Sequence, residues 1–248
     1  MRAFFDKLLT SKQQQKQFPI IYPLIIALVS GAIFSFALAP YYWWWLAILS
    51  PALLYACLKG RTPRQAFAIG LSYGFGLWFV GAFWLFTSIH VYGDTNAVLA
   101  VLMIAVMAII MGLFTAVQTW LYRRFFPETP LTFAPLWVLF EWAKTWVFTG
   151  FPWLFAGYAF TERYLDSYAP LFGVFAVSFV VIILACALVE ILNKKFFWAI
   201  PAIILLLGAW GASFLQFVQP KAEKPLSVSL IQGNIPQDLK WLTEYQVK

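Results

Sequence analysis

Glu141 and Lys144 stand three residues apart in a stretch that is otherwise free of charge. On a helix that spacing puts both side chains on one face, where they can pair. Ionisable groups in apolar surroundings are costly, so each is a functional candidate. The pair can meet a lipid headgroup, or it can neutralise itself inside a bundle. A few residues on comes Phe148-Thr149-Gly150-Phe151-Pro152-Trp153. An aromatic belt at a helix end accounts for its Trp and Phe, but not for the compact Gly-Phe-Pro-Trp grouping. His90, beside Tyr92, Gly93 and Asp94, has no second histidine with which to build a metal site or proton relay, and reads as a wetted loop residue. Cys57 and Cys186 lie in apolar segments with no neighbouring histidine. A nucleophilic thiol needs a base and partial exposure, so both read as buried and inert. From the residues alone no catalytic constellation, cofactor site or metal site emerges.

The surroundings of these residues say more. The 248 residues are 62% hydrophobic and 11% charged, and a fifth are aromatic. Soluble domains are about 45–50% apolar and about 25% charged. A water-soluble fold could not hide this much apolar surface, so the bilayer is the expected solvent. The net charge of 17 − 10 = +7 does not point to nucleic acid, because the basic residues sit in short runs between apolar stretches.

A membrane-crossing helix takes about 20 apolar residues. Gaps between charges give seven such stretches, near 18–38, 43–58, 65–87, 96–122, 131–148, 167–192 and 196–217. The fold class expected is therefore all-α and polytopic, with seven transmembrane helices. Pro40 and Tyr41-Tyr42-Trp43-Trp44-Trp45 divide the first two, and Pro51 allows a kink in the second. Gly74, Gly76 and Gly81 in the third allow close helix packing or leave room for an acyl chain. Ala37-Leu38-Ala39 resembles a signal-peptidase site, but a long polar leader and an immediate second span favour an anchor. Placing the N-terminus in the cytoplasm puts eleven Lys and Arg on the inner side, among them Lys59, Arg61, Arg64, Arg123, Arg124, Lys194 and Lys195. The outer loops then hold Arg163 with Asp94, Glu162 and Asp166. Positive charge concentrates on the cytoplasmic side, so the C-terminal tail is expected outside.

The domain reading is a basic leader over 1–17, a membrane domain over 18–220, and the start of an extramembrane unit over 221–248. Leu226-Ser227-Val228-Ser229-Leu230-Ile231-Gln232 alternates as a half-buried strand does, and Gly233-Asn234 marks a turn. The alternative for this tail is an unstructured segment.

Three passages now carry a resemblance. They are Phe36-Ala37-Leu38-Ala39-Pro40-Tyr41; Thr149-Gly150-Phe151-Pro152-Trp153 with Gly157-Tyr158; and Ile231-Gln232-Gly233-Asn234-Ile235-Pro236-Gln237-Asp238-Leu239-Lys240-Trp241. In order and context the chain resembles the membrane half of bacterial apolipoprotein N-acyltransferase. The resemblance implies a seven-helix bundle in the bacterial inner membrane, joined to a periplasmic nitrilase-like αββα domain of which 221–248 would hold the first strand. It implies transfer of an acyl chain from a phospholipid donor, through a cysteine thioester, to the α-amino group of a diacylglyceryl-cysteine on a lipoprotein. It implies neither a cofactor nor a metal. The family's Glu-Lys-Cys triad follows the third passage and is expected to lie beyond Lys248, so these 248 residues are expected to be catalytically incompetent alone. The substrate-handling candidates carried over are Trp241 and Gly150, with Trp153 and Tyr158 added by their nearness to the Gly150 loop. The rival reading is a non-catalytic lipid-binding or scaffold protein; a small transporter finds no inverted repeat to support it.

Overall fold

The structure is a computed structural model that describes residues 19–215, 217 and 227–234. The expected leader over 1–17 and, within the expected extramembrane unit, residues 221–226 and 235–248 with Trp241 and Lys248 lie outside the described residues.

The described chain is all-helical. Seven α-helices follow one another: α1 Ile21–Phe34, α2 Leu46–Leu58, α3 Pro63–Gly81, α4 Ala97–Phe125, α5 Pro130–Ala143, α6 Ala169–Leu192 and α7 Ala199–Ala212. Each falls within, or within a few residues of, one apolar stretch of the sequence. Their starts are written locally. Thr62 and Gln65 form a reciprocal capping box ahead of Pro63, satisfying backbone donors that the first turn leaves free. The Asn96 side chain accepts from the Val98 amide at the head of α4.

Helix α3 packs between α1 and α4, and glycines let it approach each of them closely. A side chain at Gly74 would run into the Gly112 backbone of α4, and one at Gly76 into the Leu28 carbonyl of α1. These two glycines serve helix packing, where small residues give backbone-to-backbone van der Waals contact. Gly81 differs, since it faces the Leu154 side chain. Between α1 and α2 the Ser30 and Ser50 hydroxyls each donate to the other's carbonyl at 2.7 Å, and the Tyr73 hydroxyl from α3 meets Ser50 at 2.8 Å. Buried polar groups are thereby satisfied across three helices.

The exterior is apolar. Only 22% of the most apolar window of α4 is buried, with Leu99, Leu102, Val106 and Ile110 facing outward. A core helix of a soluble protein would bury such residues. By length and composition, Ala97–Phe125 and the run Tyr164–Leu192 can each cross a bilayer; Ile21–Ala37, Leu46–Leu58 and Phe196–Ala212 are shorter apolar helices.

Three expectations change. The third stretch leaves α-helical geometry at Gly81 rather than near 87, and Thr87–Tyr92 forms a π-helical turn closed by His90 Nδ1 donating to the Thr95 carbonyl at 2.6 Å. The fifth ends at Ala143 rather than 148, because Phe148 (φ 54°) and Gly150 (φ 89°) reverse the chain and return the Phe151 amide to the Lys144 carbonyl. In the tail, no strand forms among the described residues. Within the segment 226–232 expected as a strand, Leu230 and Ile231 are 94% and 93% exposed, with no partner ladder to satisfy the backbone.

Candidate functional site

The loop after α5 satisfies part of its backbone through short turns of its own, and buried groups outside those turns take the rest. Glu141, 2% exposed on the last turn of α5, accepts from the indole N–H of Trp137 at 2.9 Å and from the Ala156 amide at 2.8 Å through one oxygen, Oε1. The next amide, Gly157, donates to the Ser178 hydroxyl of α6 at 2.9 Å. At the near end, the Phe151 amide donates to the Lys144 carbonyl at 2.7 Å. The segment 152–155 is thus held at both of its ends.

Lys144 is 8% exposed, and among the described residues it makes no ion pair with Glu141. Its ammonium lies over the rings of Trp78 and Phe155, at 5.6 and 5.1 Å from their centroids. Aromatic faces attract cations strongly when both are desolvated. The two side chains share one region of the bundle, as the spacing suggests, but each finds its close partners elsewhere.

The held segment builds one wall of a cavity of about 520 Å³. Pro152, Trp153, Leu154 and Tyr158 come from this loop, and Leu38, Ala39 and Tyr42 from the connection between α1 and α2. Trp84 and Gly81, at the end of α3, close it. A column of aromatic rings stiffens the wall: Trp78 stacks on Phe151, Phe151 on Trp153, and Trp153 on Trp84, with centroids 5.1, 5.4 and 5.0 Å apart. The Tyr158 hydroxyl donates to the Pro152 carbonyl at 3.3 Å. Burial and then the nearby Glu141 carboxylate raise the Tyr158 phenol above its ordinary value, so it stays a neutral donor.

Of the residues singled out in the sequence, Trp153 and Tyr158 line this cavity. Gly150 does not. It supplies the positive φ of the reversal, and a side chain there would run into the Thr145 carbonyl. Trp241 lies outside the described residues, as does Lys248, so no described residue bears on the expectation that the catalytic triad falls beyond Lys248. Phe148, on the same turn as Gly150, faces a second cavity of about 770 Å³ against α4, whose other walls include Met103, Met107 and Met111. That stripe of methionines at helical spacing is legible in the sequence, but only the fold sets Phe148 against it.

Glu190 is the residue that the sequence reading missed. It sits two residues from the limit of its apolar stretch, where charge is unremarkable, yet it is 1% exposed. Its carboxylate binds Lys59 at 2.6 Å and Lys195 at 3.0 Å, and accepts from the Tyr55 hydroxyl at 2.8 Å. Nearby, Arg123 pairs with Glu128 and donates to the Arg61 carbonyl, while the Gly60 amide donates to Glu128. These ion pairs lace together the loops at one end of the bundle; the 520 Å³ cavity lies among the connections at the other. Cys57 and Cys186 are both buried free thiols. Among the described residues no group of three His, Cys, Asp or Glu is placed to hold a metal ion.

These features define the class: an all-helical bundle with an apolar exterior, an interior containing buried charge, and an aromatic-walled cavity built by its loops. The family is equally plain. Residues 30–187 match the family described as "Apolipoprotein N-acyltransferase N-terminal domain", and the chain belongs to it. Relatives named apolipoprotein N-acyltransferase share 36% identity over 228 residues (Coxiella burnetii), 38% over 230 (Vibrio parahaemolyticus) and 39% over 230 (Pseudomonas putida). The alignments cover 88%, 89% and 88% of this chain, but 47%, 45% and 45% of the relatives. The chain thus spans about half the length of the curated relatives it matches.

Proposed function

We propose that this chain is the lipid-handling membrane half of an apolipoprotein N-acyltransferase, and that the cavity beside Trp153 and Tyr158 receives the phospholipid acyl donor or the diacylglyceryl lipoprotein acceptor. One observation carries the reading. Two passages with family character, 36–41 and 149–158, are over a hundred residues apart in sequence and meet at a single cavity. Its mouth combines indole and phenol groups, which offer apolar faces to acyl chains and polar hydrogens to a headgroup. In this reading all seven helices cross the bacterial inner membrane, 18–220 forms the membrane domain, and 221–248 begins the periplasmic nitrilase-like part, with Trp241 a substrate-handling candidate in it. The nucleophile is neither Cys57 nor Cys186, since a thioester needs a reachable thiol and both are buried.

The test uses the purified chain in detergent, titrated with a short-chain diacyl phospholipid. Trp153→Ala and Tyr158→Ala should each weaken binding by about three- to tenfold, the loss expected for one aromatic contact, with Tm within a few degrees of wild type. Unchanged affinity in both variants would return the chain to the scaffold alternative. The same preparation, given a diacylated lipopeptide, should form no triacylated product. Product that survives Cys57→Ala and Cys186→Ala would show the chemistry to be misassigned.

Topology has its own test. A reporter active only outside the cytoplasm should work when fused after Asp94 or Trp241 and fail after Arg64, Arg124 or Lys195. Activity at Arg124 would remove one crossing and put the tail on the wrong side.

A further inference from the structure

We infer that Glu141 is a positioning residue for the lipid cavity: from inside the bundle, its carboxylate oxygen holds the loop that carries Trp153 and Tyr158 in its receiving shape. This rests on the reading of the cavity as a lipid site. Three facts together support it. The segment between Phe151 and Ala156 contributes Pro152, Trp153 and Leu154 to the cavity wall, and Leu154 stands at positive φ, a conformation that needs outside restraint. Within the loop the Trp153 amide donates to the Phe151 carbonyl at 2.8 Å and the Tyr158 hydroxyl to the Pro152 carbonyl, but the two ends of the segment are held by buried groups outside it. Lys144 O holds the Phe151 amide, Glu141 Oε1 the Ala156 amide and Ser178 Oγ the Gly157 amide. Finally, Oε1 also fixes the Trp137 indole, so the oxygen that holds the loop is itself aimed by a second donor on its own helix.

A buried carboxylate retained only to neutralise Lys144 would have no need to reach Ala156. The two roles separate by substitution. Glu141→Gln keeps the length of the side chain and an acceptor oxygen, and removes the charge. Its amide nitrogen takes the place of Oε2, an atom without a hydrogen bond among the described residues. Glu141→Asp keeps the charge near Lys144 and withdraws the oxygen by about one C–C bond, ~1.5 Å, beyond hydrogen-bond reach of the Ala156 amide.

The experiment places spin labels at Ala39→Cys, in the connection between α1 and α2, and at Thr161→Cys, on the loop after Tyr158; both residues line the cavity. Both are exposed, and both native cysteines are buried. The distance distribution is measured by pulsed EPR, and affinity for the short-chain phospholipid is measured on chains that carry the Glu141 substitutions without the labels. Glu141→Gln should keep the narrow distribution and near wild-type affinity. Glu141→Asp should broaden the distribution and weaken binding by about tenfold, as expected for one lost hydrogen bond to a charged group, with helix content and Tm near wild type. The reverse pattern would assign Glu141 to charge balance and overturn the inference, as would a Glu141→Asp chain with wild-type distance and affinity. If Glu141→Gln does not fold, the Glu141→Asp distances decide alone. A broadened distribution with unchanged affinity would keep the positioning role and sink the lipid reading of the cavity, so the two failures are told apart.

Discussion

Glu190→Ala is expected to destabilise the bundle by about 3 kcal/mol or more, the cost typical of breaking a buried ion pair by removing one partner. The carboxylate is the shared acceptor for Lys59, Lys195 and the Tyr55 hydroxyl. Its removal does not affect them equally. Lys195, with its side chain 53% exposed, can turn to solvent, whereas Lys59, 16% exposed, is left with the ring of Tyr55 as its remaining neighbour. The loss therefore falls on Lys59 and Tyr55, which join α2 to α6. Glu190→Gln should cost less, since its amide oxygen still accepts from Tyr55. Glu190→Ala combined with Lys59→Met should recover much of the loss, because no unpaired buried charge remains. The measurement is unfolding of the purified chain in mixed micelles, followed by loss of helical signal. A single Glu190→Ala chain as stable as wild type would show that this cluster is solvated in the working protein.

The second large effect is steric, and its order can be stated in advance. A Cβ at Gly74 would lie 2.6 Å from the Gly112 Cα, a separation that backbone atoms can relieve only by moving α3 away from α4. A Cβ at Gly112 meets its nearest atom at 3.1 Å, close enough to push but not to displace a helix. Gly74→Ala should therefore cost about 1–3 kcal/mol, the range for overpacking a filled interface, and Gly112→Ala clearly less. Gly74→Leu should abolish the folded bundle. The same unfolding assay reads all three chains. If Gly112→Ala proves the more damaging alanine variant, the close face of α3 has been misplaced. Because α3 ends at Gly81 and leads into Trp84, both on the cavity wall, a tolerated Gly74→Ala chain should also show altered lipid affinity, through displacement of that wall.

What the sequence determined by itself follows from the cost of placing charge in apolar surroundings. Charges confined to the ends of apolar stretches marked where helices could lie, and the seven described helices fall there, with caps at Thr62 and Asn96 that needed only local residues. The motif passages were likewise enough to point to the family, because motif order survives without any knowledge of contacts. Helix ends were harder. The run 131–148 is apolar throughout except for Glu141 and Lys144, so nothing local predicts that α5 stops at Ala143; a hydrogen bond from Phe151 back to Lys144 decides it. Tertiary structure alone decided what the chemistry-bearing residues do. Glu141 and Lys144 have the spacing of a pair, yet Ala156 and the rings of Trp78 and Phe155 outcompete that pairing, and each partner lies more than ten residues away in sequence. Glu190 looked like a boundary charge until folding brought Lys59 to it across more than a hundred residues. Gly150 and Trp153, neighbours in one motif, separate into a backbone role and a cavity wall, because φ at one and ring stacking at the other are set by which way the folded chain turns between them.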